Sequence, residues 1–158
     1  MTDQPTFLTR AAYDKLQAEL EQLKTEGRAE IEDRIAEARS HGDLRENADY
    51  DAAKNDQGLM EARIRKLEHL VNTAEVREVE DTGRVEIGSV VTVVDSDGDE
   101  MEYFVAPQEN KVPGLFLASP SSPLGAALLG SSVGAEVEYE APAGKMRVEV
   151  KAVRPYEG

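Results

Sequence analysis

Apolar residues recur every three or four positions through the first half of the chain and every second position through much of the second half. Tyr13, Leu16, Leu20 and Leu23 are spaced by three, four and three, and Ile31, Ile35 and Ala38 continue the stripe beyond a break at Gly27. Counted from Gly27 the steps run four, four and three, a stutter in the heptad register that locally unwinds a supercoil. A second stripe, Tyr50, Ala53, Gln57, Met60, Ile64, Leu67 and Val71, alternates steps of three and four. Two such seams joined by a short turn predict an antiparallel helical hairpin, a coiled coil, whose first arm starts behind Thr9 as N-cap. From Thr9 to Ser40 that arm has about 32 residues, on the order of 48 Å at ~1.5 Å each.

The period changes near Asp81-Thr82-Gly83. Ile87 to Asp95 is rich in Val and Thr, Ser96-Asp97-Gly98-Asp99 reads as a turn, and Met101, Tyr103 and Val105 alternate with their neighbours. Val137 and Tyr139 alternate with Glu136, Glu138 and Glu140, and Pro142-Ala143-Gly144 turns the chain into Met146, Val148 and Val150. These are two hairpins. Between them Ser122-Pro123 starts a short helix through Leu124, Ala127 and Leu128, which Gly130 ends. The expected fold is α+β, with a helical hairpin over residues 1–79 and a small antiparallel sheet domain with one short helix over 80–158.

Charge narrows the function classes. The net charge is −14 over 158 residues. Residues 1–79 hold 12 basic and 18 acidic side chains, and residues 80–158 hold 6 and 14, so neither half offers the positive surface that duplex nucleic acid needs. Autonomous DNA binding is not expected, whereas contact with nucleic acid inside a larger complex stays open. With no Cys there are no disulfides or thiolate metal sites. No run approaches the ~20 apolar residues of a membrane span, and no leader-like start is present, so a cytoplasmic protein is expected.

The turn between the arms is His41-Gly42-Asp43-Leu44-Arg45-Glu46-Asn47. It sets two carboxylates, Asp43 and Glu46, at the end of a long rod. Read alone, acids three residues apart also form a capping-box-like arrangement, and Gly42 can serve as the exit of the first helix. Asn47, Asp49 and Asp51 suit a solvated helix start favoured by the macrodipole. Arg39, Arg45 and Lys54 are the basic residues nearest the turn. Arg39 and Lys54 can pair with nearby Asp and Glu on exposed helix faces.

The run from Gly42 to Lys54, continued by Gln57-Gly58 and Glu61-Ala62-Arg63-Ile64, resembles the signature of the bacterial Gre transcript cleavage factors, nearest their GreA type. The stretch from Ser119 to Gly130 is similar to the signature of their C-terminal domain. The resemblance covers nearly the whole chain in order. It implies an N-terminal coiled coil and an FKBP-like C-terminal domain that docks on RNA polymerase at the secondary channel, on the β′ subunit. The coiled coil then reaches toward the polymerase active site.

On that resemblance Asp43 and Glu46 match the two tip acids. They would help hold a second Mg²⁺, shared with the polymerase, and orient the water that cuts backtracked nascent RNA near its 3′ end. Arg39, Arg45 and Lys54 would face the displaced RNA and hold its phosphates, which positions a strand without reading its sequence. The protein would be no enzyme by itself. Ser119, Ser122, Pro123 and Leu124 are the implied docking residues. Two departures stand out: Ser40-His41 where many relatives carry an acid before the Gly, and Ala135 where relatives often place Asp.

Three other readings compete. A Gre-like paralogue that occupies the channel and inhibits would have a different acidic tip. A prolyl isomerase or chaperone would need an aromatic-lined pocket, yet from Gly83 onward there are only Tyr103, Phe104, Phe116, Tyr139 and Tyr156 and no Trp. A purely structural coiled coil would not bind polymerase.

Overall fold

The structure is a computed structural model. It describes residues 5–41 and 44–157, with the side chains of residues 41 and 44–47 outside the description. The chain divides into two compact units: Tyr13–Ala74, and the residues before Tyr13 together with those from Glu75 onward.

The first unit is the hairpin. Helix α1 (Arg10–Gln22) runs through a π-helical segment (Leu23–Gly27) into α2 (Arg28–His41), and α3 (Leu44–Thr73) returns. The expected break at Gly27 is therefore a wider helical turn and not an end: Gln22 and Arg28, on either side of it, both keep right-handed helical angles. A π turn inserts a residue and rephases the apolar stripe, which meets the stutter without ending the helix.

Ile31, Ile35 and Ala53 form a buried cluster with Tyr50 and Met60 packed on it. Ala38, Ile64 and Leu67 are buried too, and so is Leu70, which the spacing did not mark. The arms are antiparallel, since as the first arm advances from Arg28 to Arg34 to Arg39 its partners recede from Glu61 to Asp56 to Tyr50. Two ion pairs are forked. Arg28 meets Glu61 at 2.8 and 3.1 Å, and Arg63 meets Glu19 at 2.9 and 3.1 Å.

The second unit holds β1 (Phe7–Leu8), β2 (Glu75–Val76), β3 (Ser89–Asp95), β4 (Glu100–Val105), a 3₁₀ turn (Gln108–Asn110), β5 (Phe116–Ala118), α4 (Pro123–Leu128), β6 (Glu136–Ala141) and β7 (Gly144–Pro155). Both expected hairpins form, and the sheet order is β5-β4-β3-β7-β6. The sheet is antiparallel except at one edge, where β5 pairs in parallel with the second half of β4, Tyr103–Val105, and β1 and β2 form a separate parallel pair. The 3₁₀ turn and loop after β4 let the chain double back and run alongside it in the same direction.

Local chemistry explains the turns. Asp95 accepts the amides of Asp97 and Asp99 on Oδ1, each at 2.9 Å, and Gly98 supplies the positive φ of +86°. The Ser122 hydroxyl accepts the Gly125 amide at 3.1 Å and caps α4, and Gly130 leaves it at φ +83°.

One sheet face packs Val91, Val93, Val105, Val148 and Val150 beneath α4 through Leu128. The other packs Val90, Phe104 and Ala106, with Tyr156 stacked on Phe104 at 4.6 Å between ring centres. The Thr9 hydroxyl accepts the Ala12 amide at 3.1 Å, as an N-cap should. Among the described residues no helix is long and apolar enough to cross a membrane.

Candidate functional site

Helix α2 stops at His41 and α3 starts at Leu44, so the turn between the arms is as short as the sequence implies. Asp43 lies outside the described residues. Glu46 and Arg45 belong to the first turn of α3, with side chains outside the description. Acids at that helix start are favoured by its dipole, whether they cap it or serve a ligand.

Among the described residues no group of three His, Cys, Asp or Glu is placed to hold a metal ion. Asp43 and Glu46 remain as oxygen donors of the kind Mg²⁺ prefers. Two carboxylates are too few for its roughly six-coordinate shell, so the pair suits an ion whose other ligands come from elsewhere.

The described surroundings assign plainer partners to the basic candidates. Arg39 reaches a ring on the facing arm. Its guanidinium carbon lies 5.5 Å from the centre of the Tyr50 ring, and Nη2 donates to the Tyr50 hydroxyl at 3.4 Å. That hydrogen bond, ahead of the general charge of Arg39, draws the Tyr50 hydroxyl below the usual phenol range. Lys54 donates to Gln57 Oε1 at 2.9 Å. The Ser40 hydroxyl donates to the Glu37 carbonyl at 2.7 Å within the last turn of α2. Beside the seam a shallow hollow of about 280 Å³ is lined by Arg34, Glu37, Ala38, Asp49, Ala52 and Ala53, and Arg34 is engaged by Asp56 at 3.1 Å.

The second candidate stretch is busy holding itself together. The Ser122 hydroxyl donates to the Ser119 carbonyl at 2.6 Å, and Ser119 and Ser121 share a hydroxyl contact at 2.9 Å. Leu124 packs on the main core. Pro123 is exposed, while Ser119, with Pro120 and Ser121, lines a cleft of about 870 Å³ that also includes Phe7, Ile87 and Pro107. Of the four docking candidates, Ser122 and Leu124 thus have structural roles.

Two residues with large structural effects escaped the sequence reading. Asn110 is fully buried and ties Thr9, Phe7 and Pro107 together. Tyr50 was read only as a seam residue; an aromatic eleven positions from an Arg across a short turn was the available signal.

Residues 6–76 match the family model described as transcription elongation factor, N-terminal, and residues 80–155 match that of transcription elongation factor, GreA/GreB, C-terminal. The chain is 43% identical over 158 residues to transcription elongation factor GreA of Streptomyces avermitilis, covering 97% of this chain and 95% of the relative. It is 42% identical over 157 residues to that of Chloroflexus aggregans, covering 98% and 100%. Among solved structures it is similar to GreA factor homolog 1 of Thermus thermophilus, with 32% identity, 96% and 99% coverage and a TM-score of 0.45.

Proposed function

The chain belongs to the GreA/GreB family of transcription elongation factors, and from that premise we propose that it stimulates cleavage of backtracked RNA by RNA polymerase. The sheet unit docks at the rim of the secondary channel, on the β′ subunit, and the hairpin enters the channel. Such a partner places the protein in the cytoplasm. The observation that supports this reading most is that α2 ends at His41 and α3 begins at Leu44, so the sequence puts Asp43 and Glu46 at the join of the two arms, within a match that runs through both halves of the chain.

Asp43 and Glu46 would supply oxygen ligands to a Mg²⁺ whose remaining ligands come from the polymerase, and would accept hydrogen bonds from the water that attacks the RNA. Such an ion, when bound, would supply Lewis-acid stabilisation of the charge that develops during phosphodiester cleavage. Arg45 lies nearest in sequence to the two acids and offers a charge to the displaced RNA phosphates. The chain contributes groups in trans and completes no active site by itself. Docking falls to the exposed Pro123 and to the rim near Ser119; Ser122 and Leu124 shape that surface from beneath.

The test compares stalled, backtracked complexes with wild-type protein, with Asp43→Asn and with Glu46→Gln. Loss of one preorganised group at a reacting centre costs about 10²–10³ in rate. Each variant should therefore lose cleavage to that extent while still competing with wild type for polymerase. Equal cleavage by the double variant, or no stimulation by wild type, refutes the assignment.

A further inference from the structure

Arg39 stands in the last turn of α2 and Tyr50 in the second turn of α3, so their contact joins the arms just below the acidic turn. Among the described residues it is the cross-arm side-chain pair nearest that turn. At 3.4 Å the hydrogen bond is long, and the guanidinium also lies over the ring face, 5.5 Å from its centre. The ring is half-buried and packs on the Ile31, Ile35 and Ala53 cluster, so one end of the contact is anchored in the seam. Arg39 is exposed, yet its planar group is committed to the ring, a match that a Lys ammonium reproduces poorly.

We infer that Arg39 and Tyr50 are a positioning pair, which sets the register of the two helix ends from which Asp43 and Glu46 are presented. The inference rests on the cleavage-stimulating function proposed above. It departs from the sequence reading, in which Arg39 met RNA and Tyr50 only filled the seam.

The physical reason is leverage. An exposed ring-to-guanidinium contact adds little to stability, whereas a displacement of ~1 Å at reacting groups can cost about 10²-fold in rate. The pair should therefore matter far more to the cleavage rate than to melting or docking.

The experiment measures the maximal cleavage rate at saturating protein, the protein concentration for half-maximal effect, and thermal unfolding. The variants are Arg39→Gln, Arg39→Lys, Tyr50→Leu, Tyr50→Phe and the double Arg39→Gln/Tyr50→Leu. Each disruptive single change should lower the maximal rate about tenfold or more with the half-maximal concentration unchanged. The double variant should be no worse than the poorer single. Tyr50→Phe keeps the ring and should retain most of the rate.

Additive losses in the double variant overturn the inference. So does a wild-type rate for Tyr50→Leu beside an impaired Arg39→Gln, the pattern of an Arg acting on RNA alone. If Tyr50→Leu unfolds the hairpin, the comparison of Tyr50→Phe with Arg39→Lys decides: a Lys as good as the Arg refutes positioning by the ring face. Asp43→Asn, run alongside, separates the two ideas. If it loses cleavage while Tyr50→Leu keeps it, the pairing role fails and the function stands. Absence of any stimulation by wild type removes both.

Discussion

Asn110 offers the strongest test of how the sheet unit is held together. Its Oδ1 accepts the Thr9 amide at 2.8 Å, and its Nδ2 donates to the carbonyls of Phe7 at 2.9 Å and Pro107 at 3.2 Å. The side chain thus stitches the segment before α1 to the 3₁₀ turn a hundred residues later. Asn110→Ala strands two buried backbone groups, the Thr9 N–H and the Phe7 carbonyl. The Pro107 carbonyl keeps the Asn110 amide at 2.9 Å and is spared.

At about 1–3 kcal/mol for each buried group left unpaired, the loss should be about 3 kcal/mol. For a domain of roughly 100 residues that lowers the melting point by about 12 °C or more. Urea unfolding followed by circular dichroism measures it. Asn110→Asp sharpens the test: the acceptor survives, but a buried carboxylate now faces the Phe7 carbonyl. Burial and that oxygen raise its folded pKa above the unfolded value, so the folded state binds the extra proton. The penalty of Asn110→Asp should be largest near neutral pH and shrink as the pH falls through the raised folded pKa toward about 4. A cost for Asn110→Ala below about 1 kcal/mol, or an Asp variant whose penalty does not change with pH, refutes the reasoning.

Two further expectations follow from glycines and one from an ion pair. Gly125 is buried, and a Cβ there would come 1.9 Å from the Ser119 carbonyl oxygen, so Gly125→Ala should cost about 1–3 kcal/mol in urea unfolding. Gly58 lies on an exposed face of α3 with nothing within 4 Å of such a Cβ, so Gly58→Ala should stabilise the hairpin by about 0.5–1 kcal/mol. Effects of the same sign at both sites would contradict the packing. The forked Arg28 hydrogen bonds hold the Glu61 carboxyl below the usual carboxylate range, so the pair's contribution is present above that range and lost as pH falls through the depressed folded pKa. The melting difference between wild type and Glu61→Gln should be largest at neutral pH and fade below about pH 4; a difference that grows in acid has the wrong sign.

What the sequence disclosed was whatever local chemistry decides. Asp95 and Gly98 specify their turn within five residues, Ser122 and Gly130 bound α4, and the seam residues follow helical spacing. What it withheld depends on partners distant in sequence. Phe116–Ala118 is three residues long and carries no alternation to reveal a parallel strand beside β4. The two-residue strands β1 and β2 exist only because each has the other. Arg39 meets a ring on the facing arm because the antiparallel register brings it within reach, a contact that spacing along one helix does not reveal. The acids of the turn stand three apart in the sequence, and the role proposed for them rests on resemblance, because two carboxylates leave the rest of a metal shell to another molecule.

The hairpin's construction favours register over raw stability. Among the described residues the buried cluster nearest the turn is thin, Ile31, Ile35 and Ala53, and small residues such as Ala38 and Ala53 offer little apolar contact to oppose sliding of the arms. Forked ion pairs oppose sliding. Glu19–Arg63 and Arg28–Glu61 bracket the π-helical segment, and Glu61 and Arg63, two apart on α3, point to opposite flanks of the seam. Exposed ion pairs each contribute about 0–1 kcal/mol, so their energy is minor, but a slip of one residue would break both forks at once. Gly27 adds a steric stop, since a Cβ there would meet Met60 Sδ at 3.2 Å. A hairpin that only filled space would gain more from larger seam residues. On the function proposed above, a hairpin that presents Asp43 and Glu46 to another molecule needs its two arms locked in a single register, and the forks, the π turn and the Arg39–Tyr50 contact are spaced along it.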